Sequence, residues 1–255
     1  MKKTIAQTLS VASLLFITLT QASYAADTTT YDVIDNDTRV RVENTTARPY
    51  QAIAYLNVQW DKANAACTGT IIAPNKVLTA AHCVYNPNNG GFVKKTGITP
   101  ALNATYNPYG EFVSTHVRVP QQYIENQKRA YDIAIVDVQP RSGASIGKVV
   151  KPLELESGDD FTGRNFEVAG YPSDKFHVFK APTMWTDSGV IDKQEGNMAY
   201  YTTDASGGQS GAPLLDKKTH KVFGVHTSYV KGKNIETNRG TTLTNEIYNW
   251  VKQNL

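Results

Sequence analysis

The chain has 255 residues, 40% of them hydrophobic and 19% charged, with a formal net charge of +3. So small and scattered a charge argues against nucleic-acid or membrane-surface partners, and no apolar run is long enough to span a bilayer. No acidic cluster has calcium-loop spacing, and the two cysteines lack the further ligands that zinc needs, so neither a metal nor another cofactor is expected.

Residues 1–25 read as an export signal. Lys2 and Lys3 supply positive charge, Val11 to Leu19 a short apolar core, and Ser23 and Ala25 the small residues of a cleavage site. The protein is therefore expected to be secreted, with 26–32 as a short propeptide. Export places Cys67 and Cys83 where disulfides persist, and closing a loop of that size contributes on the order of 3 kcal/mol.

The mature region reads as short strands separated by turn clusters, without an internal repeat. Strand-like stretches are 51–58, 66–72, 76–79, 131–138, 165–169, 186–192, 198–202, 213–215 and 222–226. Turns rich in Asn, Pro and Gly occupy 86–91 and 107–110. One helix is expected at the end of the chain, where Leu243, Ile247, Trp250 and Val251 share a face that packs onto the second half. Many strands and little helix favour a barrel or sandwich. Small residues and Pro140 concentrate in 139–151, which divides the mature chain into 33–140, an N-terminal barrel, and 141–255, a C-terminal barrel with its helix.

Three short blocks carry chemistry, in the chain order His, Asp, Ser. Thr79-Ala80-Ala81-His82-Cys83 offers a general base beside a rigidifying cysteine. Tyr131-Asp132-Ile133-Ala134 offers a carboxylate at the start of an apolar strand; Asp137 is the weaker choice, since alternation turns it to the opposite face. Gly207-Gly208-Gln209-Ser210-Gly211 offers a nucleophile among glycines that let the chain turn sharply. Amide hydrolysis needs these three groups together: an imidazole to take and return the proton, a carboxylate to hold the imidazole, and a serine oxygen to attack. The amides of Gly208 and Ser210 are the expected oxyanion donors.

These blocks, with Cys67-Thr68-Gly69-Thr70, resemble the trypsin/chymotrypsin superfamily. The finer resemblance is to the glutamyl endopeptidases of staphylococci and bacilli, through Val33 to Arg39, Asn107-Pro108-Tyr109-Gly110, Thr183-Met184-Trp185, Tyr201-Thr202-Thr203-Asp204 and Gly224-Val225-His226-Thr227. It runs from about Val33 to the terminal helix. It implies an all-β fold of two six-stranded antiparallel barrels and a serine endopeptidase acting on proteins or peptides, with a preference for Glu or Asp before the scissile bond. His226 matches the pocket histidine, and the freed amine of Val33 or its neighbour would join it in holding the substrate carboxylate. The chain departs from the family at Ala205, where a Thr is usual, which leaves the hydroxyls of Ser206 and Thr227 to serve instead. Gln209 replaces the Asp that receives the new N-terminus in trypsin-like enzymes, so that ion pair is not expected. A monomer is the default state. The alternatives are a narrow-specificity toxin-like protease and a catalytically silent binding protein on the same fold; an intact His82, Asp132 and Ser210 disfavours the latter.

Overall fold

The computed structural model describes residues 33–34, 36–232 and 235–255. The export-signal and propeptide readings fall on residues outside these. The strands in chain order are β1 (Val40–Arg41), β2 (Ile53–Gln59), β3 (Asn64–Ala73), β4 (Lys76–Thr79), β5 (Tyr85–Asn86), β6 (Gly91–Phe92), β7 (Lys95–Pro100) and β8 (Phe112–Arg118). They continue with β9 (Ala134–Val138), β10 (Asn165–Gly170), β11 (Trp185–Val190), β12 (Lys193–Glu195), β13 (Met198–Tyr201), β14 (Pro213–Asp216), β15 (Val222–Gly232) and β16 (Ile235–Thr242).

Six strands close a barrel in the order β2-β3-β4-β9-β8-β7. Leu56, Val58, Ile71, Val77, Ile98 and Val136 are fully buried on the inner face, the filling that so narrow a barrel requires. Gly69 lets the wall close, because a Cβ there would lie 2.6 Å from Val77 Cγ1. The second half is an antiparallel sheet of eight strands, ordered β1-β11-β10-β14-β15-β16-β13-β12. The expected all-β, chymotrypsin-like architecture and the closed six-stranded barrel are therefore present. The second half carries more than six strands because β1, from the N-terminal segment, extends the sheet beyond β11, and the short β12 extends it beyond β13. Phe161, Phe166, Tyr201, Leu214 and Phe223 form a separate core on this side.

The terminal helix, Asn245–Gln253, starts at Thr244, whose hydroxyl accepts from the Ile247 amide. Leu243, Ile247 and Val251 are buried, as the apolar stripe predicts. Sequence reading missed the short β1, β5, β6 and β12 and the longer β7, β8 and β16; the longer three carry Thr, Lys, His, Asn or Gly in place of a clean alternation, and barrel closure and pairing with β15 hold them extended.

The two halves meet along Thr68 of β3. Its amide donates to Ser210 O (2.8 Å), and its hydroxyl donates to Gly208 O (2.9 Å) and accepts from the Tyr171 amide (3.0 Å). The Tyr55 and Tyr171 rings meet edge to face at 5.6 Å on the same seam. One buried threonine thus ties the two halves together.

Candidate active site

His82 lies in the 3-10 turn Ala81–Cys83 that follows β4, and the Cys67–Cys83 disulfide ties that turn to β3. Asp132 lies just ahead of β9. Because β4 and β9 pair with Thr79 opposite Ala134, residues just after β4 and just before β9 come side by side. Asp132 then accepts twice from one residue: Oδ1 from the His82 amide and Oδ2 at the ring Nδ1, both at 2.9 Å. The Asp132 side chain is fully buried. Burial alone would raise its pKa, but the His82 charge, the two His82 hydrogen bonds and Arg129 hold it below the usual carboxylate range. Asp137 is committed elsewhere, to Lys76 at 2.6 Å and to Arg118.

The Ser210 loop is built on two left-handed glycines. Gly208 has φ +92° and Gly211 φ +83°; a Cβ on Gly208 would lie 2.3 Å from Tyr171 O, and one on Gly211 2.2 Å from Thr79 Oγ1. No other residue fits either place. Ser210 is part-exposed, and its carbonyl lies 3.6 Å from Cys83 Sγ, beside the His82 turn. The amides of Gln209, Gly211 and Ala212 donate to Ser206 O, His226 O and Gln209 O. Among the described hydrogen bonds, the amides of Gly208 and Ser210 donate to nothing within the protein.

His226, on β15, exchanges backbone hydrogen bonds with this loop: its amide donates to Ala212 O and its carbonyl accepts from Gly211, both at 2.8 Å. Its ring is buried, with Nδ1 2.8 Å from Tyr201 Oη. Burial, and secondarily the His82 charge, lowers its pKa to about 3, so the imidazole is neutral at working pH. The two hydroxyls expected to serve the substrate donate within the protein. Ser206 Oγ donates to Asp174 (2.5 Å), and Thr227 Oγ1 donates to Arg239 O (3.2 Å).

The N-terminal segment folds onto the same loop. Asp204 accepts from the amides of Ile34 and Thr38, both at 2.8 Å, and from Thr38 Oγ1. Val33 directly precedes Ile34, the first residue held in this way. Arg39, its side chain fully buried, reaches Asp37 (2.9 Å), Asp174 (2.5 Å) and Gln209 Oε1 (3.4 Å). Burial opposes its charge, but the two carboxylates more than offset this and hold the guanidinium above its ordinary value. Gln209 Oε1 also accepts from the Ser206 amide (3.0 Å). A cation from the N-terminal segment thus reaches the residue before Ser210 after all, as a guanidinium. Sequence reasoning missed it because Arg39 and Gln209 lie far apart in the chain and match no local motif.

A closed six-stranded barrel joined to an eight-stranded antiparallel sheet, with an imidazole–carboxylate pair on a turn beside a glycine-built serine loop, defines a class, and comparison agrees. The Trypsin family matches residues 39–251, and the chain belongs to that family: it is a trypsin-like serine endopeptidase. It is 33% identical over 229 residues to the glutamyl endopeptidase of Bacillus licheniformis, covering 86% of this chain and 68% of that one. It is 28% identical to a Bacillus subtilis protein named extracellular metalloprotease, covering 87% of this chain and 70% of that one. A solved structure of Glu endopeptidase in complex with MPD superposes with a TM-score of 0.78 at 32% identity, over 87% of this chain and 98% of that one. Cys67, His82 and Cys83 are the one group of three close metal-ligand types among the described residues. Both sulfurs are joined in the disulfide and His82 Nδ1 is engaged by Asp132, so this donor set does not fit a metal.

Proposed function

We propose that the protein is a secreted endopeptidase that cuts after Glu, or after Glu and Asp, using His82, Asp132 and Ser210. The observation that carries the chemistry is the two-point grip of Asp132 on His82. A carboxylate at Nδ1 keeps the proton there and leaves Nε2 as the base. Nε2 takes the Ser210 proton as Oγ attacks the scissile carbonyl, and the oxygen that becomes negative is received by the amides of Gly208 and Ser210. The proton then passes to the departing amine, whose C–N bond breaks. Water, deprotonated by the same nitrogen, releases the acyl group from Ser210.

The preference for an acidic side chain rests on His226. In the tautomer where Tyr201 Oη donates to Nδ1, the neutral ring has its Nε2–H to donate to a substrate carboxylate, which in turn raises the ring's affinity for a proton. The amine freed at Val33, next to the Ile34 amide that Asp204 holds, would supply the second positive group. Both Asp204 oxygens are engaged by donors of the N-terminal segment, which turns the carboxylate toward that segment. Secretion is supported by the leader-like residues 1–25 and by the disulfide.

Matched peptides that differ only in Glu or Gln before the scissile bond test this. We expect Glu to exceed Gln in kcat/KM by roughly 100-fold or more, and His226→Phe to remove most of that ratio. Equal cleavage of the two peptides would sink the acidic-pocket reading and leave the endopeptidase standing.

A further inference from the structure

Two arginines converge beside the Asp132–His82 pair, one of them in contact with Asp132. Arg129 lies in the turn before Asp132, with Nη1 3.6 Å from Asp132 Oδ2 and its side chain about half exposed. Arg239 lies on β16 opposite Ser228, and its Nε donates to Ser228 Oγ at 2.7 Å. Arg239 and Thr241 are two apart in one strand and so share a face. The Thr241 hydroxyl donates to Arg129 O at 3.2 Å, which sets that face against the turn carrying Arg129. Both guanidiniums therefore border the same side of the cleft, next to the Asp132–His82 pair.

The charges around them leave the pair unmatched. Among the described residues Arg129 has one ion-pair partner, the buried Asp132, and Arg239 has none. Tyr200 lies opposite Arg239 on β13, and Glu195, which accepts from its hydroxyl, is taken up by Lys193 at 2.5 Å. The two arginines feel each other: burial first and the Arg129 charge second hold Arg239 below its ordinary value. A pair of like charges at a cleft edge invites an anion.

The backbone beside them says which anion. Strand β14 stops opposite Val225, and its loop bonds only as far as His226, so Thr227 and Ser228 have no strand partner on that side among the described residues. An extended peptide adds to such an edge by backbone hydrogen bonds. A peptide whose scissile residue lay at His226 would lead its preceding residues past Thr227 and Ser228, the latter held by Arg239. We propose that Arg129 and Arg239 form a second carboxylate-binding subsite, which selects acidic residues one to three positions before the residue held at His226. This rests on the proposed cleft; it does not require that the residue at His226 be Glu.

The test uses peptides that share whichever scissile residue a cleavage library identifies, with Glu, Ala or Lys at each of the three preceding positions. The readout is the ratio of kcat/KM between acidic and neutral members, because Arg129 touches Asp132 and its loss will slow all peptides together. We expect acidic residues to be favoured about three- to tenfold at one or more positions, fading as ionic strength rises. Arg239→Gln and Arg129→Gln should each bring the ratio toward one, and Arg239→Glu should invert it in favour of Lys. Should the Arg239 variants fail to fold, Arg129→Gln and the salt dependence of the unmodified enzyme still decide. A ratio within twofold of one in the unmodified enzyme, or an acidic preference unchanged in every variant, overturns the subsite. A preference for Gln equal to Glu at the scissile position, with the upstream preference intact, overturns only the acidic pocket.

Discussion

Arg39→Met isolates the link between the N-terminal segment and the serine loop. The Arg39 side chain is fully buried and its partner Asp174 is only 11% exposed, whereas Asp37 is more open and keeps Lys175 at 2.6 Å. The cost therefore falls on Asp174, which is left with Ser206 Oγ as its donor. Removing one partner of a buried ion pair costs about 3–5 kcal/mol, and methionine recovers part of the lost packing, so about 3 kcal/mol is expected. For a chain of this size that corresponds to a fall of roughly 6–12 °C in Tm. Gln209 also loses a donor, so the loop bearing the Gly208 and Ser210 amides loosens, and kcat should fall more than KM rises. Urea unfolding with steady-state kinetics reads both, and Arg39→Lys should lie between. A stability loss below about 1 kcal/mol with kcat unchanged would refute the reasoning.

Further outcomes follow from single features. Gly208→Ala should lower kcat roughly 100-fold or more, because a Cβ at φ +92° meets Tyr171 O and displaces an oxyanion donor; kinetics on folded protein checks it. Replacing Cys67 and Cys83 together with Ala should lower unfolding free energy by about 3 kcal/mol in denaturant titrations and loosen the His82 turn. His226 stays neutral in the fold down to about pH 3, whereas in the unfolded chain it takes up a proton near pH 6.5. Lower pH therefore favours unfolding across that window, by up to about 1.4 kcal/mol per pH unit. His226→Phe should flatten that slope in urea curves taken at several pH values.

The chemistry-bearing blocks were legible because each is local: a histidine beside a cysteine, an aspartate at the mouth of an apolar strand, a serine between glycines. The apolar strands β2, β3, β4 and β9 were legible for the same reason, as was the helix ending the chain. What lies between distant residues was not. The register of β4 on β9 that seats Asp132 under His82, the threading of Arg39 to Gln209 and the convergence of Arg129 with Arg239 all depend on strand pairings that no local pattern encodes. The partners of the Ser206 and Thr227 hydroxyls, Asp174 and the Arg239 carbonyl, likewise come from distant parts of the chain.

The central claim is that Ser210, activated by His82 on Asp132, forms the acyl-enzyme. Treating active protein with a phosphonyl fluoride and mapping the adduct by peptide mass spectrometry tests it most directly. The account predicts a single modified residue, Ser210, loss of cleavage in step with labelling, and no labelling in His82→Ala. Labelling at another residue, or full cleavage by Ser210→Ala, would contradict it.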